Sequence, residues 1–158
     1  MFDIPLARDR RSLIASVAII VAITVFTNGL IFGLGWAGPS SAIRPNHLLP
    51  PGWAIGSVWV VLLALLGVAF WWLASDASLT ARKQSTWVLA LIAFCLAYPF
   101  YTFGMRSEVL GFMGNLATMV VSAALAGRVL SLSRLAAALI FLTTLWVTYA
   151  TYALMFGR

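Results

Sequence analysis

Five apolar runs set the pattern of this chain, and short polar stretches separate them. They fall at about Ser12–Leu34, Trp53–Ala74, Thr86–Phe103, Val109–Leu130 and Leu135–Phe156. A helix crossing a bilayer needs roughly 20 consecutive apolar residues, so each run predicts one transmembrane helix. The third run is short, and Pro99 near its end predicts a kink, because proline lacks the N–H that the helix ladder uses. Only Ser131-Leu132-Ser133-Arg134 divide the fourth run from the fifth. One continuous helix there would bury Arg128 and Arg134 in hydrocarbon, so two helices joined by a tight turn are the cheaper arrangement. The expected fold class is an all-α membrane protein, a five-transmembrane-helix bundle forming a single domain over 1–158.

Arg8, Arg10 and Arg11 precede the first run, as in a signal peptide. The run is too long for a signal core, and no clear small-residue cleavage site follows it, which predicts a retained helix. One connection is more than a turn. Gly35–Gly52 holds Pro39, Pro45, Pro50 and Pro51 together with Arg44, Asn46 and His47. A proline-stiffened segment of this kind suits a lid over the outer mouth of the bundle.

Composition agrees with the pattern. The hydrophobic fraction is 63% and the charged fraction 9%, against about 25% charged in soluble domains. Asp3, Asp9, Asp76 and Glu108 all lie outside the apolar runs. The net charge of +6 comes from bases scattered singly or in pairs beside helix ends, which argues for a membrane rather than for nucleic acid. With the N-terminus inside, seven of the ten bases (Arg8, Arg10, Arg11, Arg82, Lys83, Arg128, Arg134) fall on the inner side. Arg44, Arg106 and Arg158 fall outside. The positive-inside rule then predicts a cytoplasmic N-terminus and a periplasmic C-terminus, with the bacterial inner membrane as the expected location. Trp36, Trp53, Trp72 and Trp87 lie near the span ends, where indole rings favour the interface.

The span interiors carry no Asp, Glu, His, Lys or Arg. That argues against a proton relay or an ion pathway, which keep ionisable groups at depth. One His and one Cys, far apart in sequence, make no metal site, and neither a phosphate-cradling glycine loop nor a nucleophile–base pair is visible. No enzymatic activity is expected. Cys95, in an apolar run, reads as a buried, inert thiol.

What the spans do hold is aromatic and weakly polar surface. Phe94, Tyr98 and Tyr101 recur at steps of three and four in the third helix, and Trp146, Tyr149 and Tyr152 do so in the fifth. Such faces can line a pocket for a flat, greasy ligand; equally, they can pack helices together or face lipid. Gly29 and Gly33 form a G-x-x-x-G in the first helix, and Gly114, Thr118, Ser122 and Ala126 form a small-residue stripe in the fourth. Both permit close helix approach, within one chain or between chains. Asn28 and Asn115 are the most polar side chains at depth, suited to bonding a neighbouring helix or touching a ligand. His47, on the lid, is a candidate ligand contact against the plainer reading of a solvated loop residue.

The segment Pro50-Pro51-Gly52-Trp53-Ala54-Ile55-Gly56-Ser57-Val58-Trp59, with Gly67-Val68-Ala69 further on, resembles the second helix of the TspO/MBR (tryptophan-rich sensory protein) family. The family pattern there is roughly P-P-x-W-x-F-x-x-V-W followed by G-x-A, with Ile55 here in place of the usual Phe. Tyr98-Pro99 through Phe103-Gly104-Met105-Arg106 and Trp146-Val147 are looser matches in the third and fifth helices. The resemblance implies a pocket between the helices, under the first loop, that takes porphyrins, sterol-like lipids or synthetic aromatic ligands. It also implies homodimers and a link to tetrapyrrole homeostasis or stress- and oxygen-dependent regulation. Trp53 and Trp59 then correspond to pocket-side tryptophans, and Tyr98 stands where the family usually has Trp. Cys95 replaces a common Asn, Gly114 or Asn115 an acid, and Leu142-Thr143 a Pro-Tyr, which marks a divergent member.

Together these readings give an integral membrane protein that binds a hydrophobic ring-shaped ligand, with a sensory, regulatory or transport-related role. The ligand-binding set is Trp53, Trp59, Tyr98, Tyr101, Trp146, Tyr149 and His47, with no metal and no catalytic residue. No cofactor is required; a bound tetrapyrrole or lipid is expected, with membrane lipids and a second copy or a larger complex as partners. The alternative is a non-catalytic accessory subunit or assembly factor docked in an energy-converting or photosynthetic membrane complex. A small transporter of neutral lipophiles is compatible with the absence of buried charge.

Overall fold

Helix starts follow caps that the chain supplies at the polar gaps. The computed structural model describes residues 9–36 and 47–157. The Asp9 side chain accepts the Ser12 backbone N–H at 2.7 Å and caps α1, Arg10–Gly33. Asp9 stands outside the apolar stretch, and this bond from the Ser12 amide holds its carboxyl below the ordinary aspartate range. Pro50 and Pro51 precede α2, Gly52–Ala74, where fixed proline φ suits an entry into a helix. α3 spans Leu79–Pro99 and continues into a π-helical turn, Phe100–Gly104. Ser107 and Ser133 accept backbone N–H groups from Leu110 and Ala136, each at 3.2 Å, and so cap α4, Glu108–Leu130, and α5, Arg134–Phe156.

These are five helices long and apolar enough to span a membrane, and no strand occurs among the described residues. The third begins at Leu79 rather than near Thr86, because its first turns carry Arg82, Lys83 and Gln84, which hydropathy discounts. Pro99 does not end the helical path. The chain widens into the π turn, where the Met105 N–H bonds the Phe100 carbonyl. Arg106 then takes a left-handed conformation (φ 52°), rare for a residue with a side chain, and turns the chain into α4. The proline-rich lid falls largely on residues 37–46, outside the described part, as do Arg8, Arg44 and Arg158.

α2 is the hub: it packs on α1, α3 and α5, while α4 closes the ring against α5 and α3. The innermost side chains are Leu63, Leu66, Val88, Leu91, Val129 and Ile140. Large apolar residues such as Phe26, Val61, Val120 and Leu145 point outward, as a lipid-facing surface requires. Small residues set the tight crossings. A Cβ on Gly67 would stand 2.8 Å from Cδ1 of Ile20, so the G-x-A of the second helix is where α1 and α2 touch. In α4, Gly114, Thr118, Ser122 and Ala126 are all buried. That stripe is spent inside the chain. Gly29 and Gly33 behave oppositely: both are exposed, with nothing within 4 Å of an added Cβ.

Candidate functional site

The helices enclose a cavity of about 630 Å³ beneath residues 49–52, a volume within the usual range for small-molecule sites. α1 contributes Thr24, Thr27, Asn28, Ile31 and Phe32, the stripe that helical spacing carries down one side of the helix. Across from them α2 supplies Ile55, Gly56, Trp59 and Leu63. Cys95, Leu96, Tyr98 and Pro99 come from α3, Phe103 from the π turn and Asn115 from α4. Trp146, Val147, Ala150 and Leu154 of α5 complete the wall.

Aromatic rings shape this space. Trp59 and Tyr98 lie roughly parallel, 29° apart with centroids 6.3 Å distant, and join α2 to α3. Tyr98 meets Tyr101 edge-on at 5.5 Å, and its phenol pairs with the Asn115 side chain. The wall therefore offers flat π surface with a few fixed polar groups, an arrangement that stacks a ring and orients it. Among the polar groups, the Asn28 side-chain amide donates to the Gly56 carbonyl at 3.4 Å, and the Thr24 hydroxyl donates to Ile20 at 2.7 Å. Among the described residues, no Asp, Glu, Lys, Arg or His lines the cavity. No cluster of metal-ligating side chains occurs among the described residues.

Of the residues singled out from the sequence, the cavity brings together Trp59, Tyr98 and Trp146. The other four stand elsewhere. Trp53 is 73% exposed at the start of α2, on the outside of the bundle, so its pocket-side placement is corrected. The reason is geometric: Trp53 and Trp59 are six residues apart, which turns their side chains to different faces of one helix. Trp53 suits an interfacial anchor. Tyr101 packs its ring against Gly114, between α3 and α4, rather than into the cavity. Tyr149 is 42% exposed and donates its hydroxyl to the Leu48 carbonyl, fastening the mouth segment to α5. His47 is exposed and outside the lining.

Sequence reasoning missed the contribution of α1. Its signal was there in Thr24, Thr27, Asn28 and Ile31, weakly polar positions recurring along one face. The departures from the family pattern separate in the same way. Cys95 and Asn115 are buried and line the cavity, so they change its chemistry. Leu142 faces outward and Thr143 is buried outside the lining, so that departure leaves the wall untouched.

A five-helix membrane bundle whose cavity has, among the described residues, an uncharged and aromatic wall defines the class of protein: an integral membrane protein with an internal pocket. The sequence matches the TspO/MBR family over residues 16–156, nearly the whole chain, and the protein belongs to that family. Among curated proteins no relative matches it.

Proposed function

We propose that this protein is a non-enzymatic membrane receptor that binds a flat, hydrophobic, ring-shaped ligand, a tetrapyrrole or a sterol-like lipid, in a sensory, regulatory or transport-related role. The observation that carries this reading is the stacked Trp59–Tyr98 pair on the wall of a cavity of about 630 Å³ that also receives Trp146. A planar ligand gains most from parallel π surface, and the Tyr98–Asn115 pairing offers a polar handle. Because no charged side chain among the described residues lines the cavity, a ligand with an ionised edge keeps that edge at the mouth, where it stays hydrated. We further propose a cytoplasmic N-terminus, on the strength of the basic residues that gather on that side. Membership of the TspO/MBR family supports a binding role.

The accessory-subunit alternative draws less support, since a docked subunit needs no interior cavity. Purification in mild detergent, with identification of every retained pigment, lipid and protein, separates the two. Retained ring-shaped molecules, and saturable quenching of tryptophan fluorescence by added protoporphyrin IX, are the expected result. Retention of other membrane subunits without quenching would overturn it.

A further inference from the structure

On the outer side of the α2–α5 seam lies a second, open depression of about 550 Å³. Val58, Val61 and Leu65 of α2 face Leu142 and Leu145 of α5 across it. Val61, Leu142 and Leu145 are 58%, 41% and 52% exposed, so this groove meets the acyl chains of the bilayer. Trp146 lines both the groove and the internal cavity. One indole is therefore the shared wall between lipid and pocket.

We propose that the groove is a lateral portal, with Trp146 as its movable partition, through which the cavity's ligand arrives from the bilayer. The inference rests on the binding function proposed above and adds the route. Three observations support it. First, a cavity whose described lining is uncharged and rich in rings selects a hydrophobe, and such a molecule partitions into the membrane before it meets the protein. Second, Leu49, Pro50, Pro51 and Gly52 line the cavity at its loop end, and the Tyr149–Leu48 hydrogen bond ties that segment to α5. Third, the indole of Trp146 packs on the ring of Tyr149, with centroids 5.6 Å apart, and Tyr149 is itself half-exposed. The partition thus leans on a side chain that can yield toward lipid, whereas the opposite wall, at Leu63 and Cys95, is buried. The occupant of the groove is the ligand in transit: a flat, neutral molecule dissolved in the membrane.

The test is kinetic and uses the full chain in lipid nanodiscs. Protoporphyrin IX dimethyl ester, an uncharged ring, is mixed with the protein, and tryptophan quenching is followed by stopped flow. Val61→Trp and Leu145→Trp each fill the groove from its lipid side and touch neither the cavity wall nor the core. Both are expected to slow association and dissociation together, by about tenfold, while Kd stays within about twofold. Saturable binding with unaltered rates in the filled-groove variants would overturn the portal and leave the binding function standing. Absence of saturable quenching in the unmodified protein would overturn both.

Discussion

Ser122 Oγ lies 2.8 Å from Thr144 Oγ1, and this contact joins α4 to α5 where both residues are buried. The Ser122 hydroxyl also has a backbone carbonyl one turn back within reach on its own helix, that of Thr118, 2.6 Å away. The pair is a small contribution on top of close packing. Ser122→Ala is therefore expected to cost about 0.6 kcal/mol, and no more than about 1.7, by the measured range for such bonds in membranes. Ser122→Leu should do far more damage, because the buried stripe has no room for the added side chain. Unfolding in detergent, followed by helical circular dichroism, ranks the two; equal effects would contradict this reading.

Gly114 and Gly29 make opposite predictions. A Cβ on Gly114 would collide with the Tyr101 hydroxyl oxygen and meet ring carbons at 2.7 and 2.9 Å. Gly114→Ala is expected to destabilise by about 1–3 kcal/mol, the usual cost of overpacking, and Tyr101→Leu in the same chain should recover part of it. Gly29→Ala meets nothing within 4 Å. It is expected to be neutral or mildly stabilising, since alanine is favoured over glycine in a helix by about 1 kcal/mol. Thermal unfolding midpoints of the three variants check this.

Much of the architecture was legible before any coordinates. The five spans and the break at Ser131–Arg134 follow from hydropathy and the cost of burying arginine. The onset of α3 was not, because Arg82, Lys83 and Gln84 are polar yet helical, and apolar length reports only the part in lipid. The signals for that onset are the Asp76 carboxylate, which accepts the Ser78 N–H at 2.8 Å, and Ser78 at the cap position. Aromatic periodicity marked the faces that carry Tyr98 and Trp146, both of which line the cavity. Periodicity does not say which neighbour that face meets. Tyr101, one turn from Tyr98, therefore went to the α4 contact and Tyr149, one turn from Trp146, to the outer groove. Likeness to a motif put Trp53 beside Trp59, and helical geometry turns the two to different faces, with Trp53 exposed outside the cavity lining.

The cap at Asp9 sets a pH dependence outside the membrane. Its carboxyl is held below the ordinary value of 3.8, first by the Ser12 backbone N–H and then by the Ser12 hydroxyl. A carboxylate depressed in the folded state contributes stability that is fully present above its unfolded pKa. That contribution is lost as pH falls through the depressed folded value. The first turn of α1 is thus expected to fray only below pH 3.8. Asp9→Asn should keep the cap and lose this dependence, and Asp9→Ala should fray at all pH values. Amide exchange at Ser12 reads all three.

The central claim is that an aromatic-walled cavity, and not the lipid-facing tryptophans, holds the ligand. The most direct measurement is the Kd for protoporphyrin IX, from fluorescence quenching in nanodiscs, for Trp59→Leu against Trp53→Leu. Loss of the ring stacked on Tyr98 is expected to weaken binding by about tenfold, in line with the worth of an aromatic pair. Trp53→Leu, on the outside of α2, should leave Kd within about twofold. Equal weakening by the two substitutions, or a larger effect at Trp53, would contradict the account.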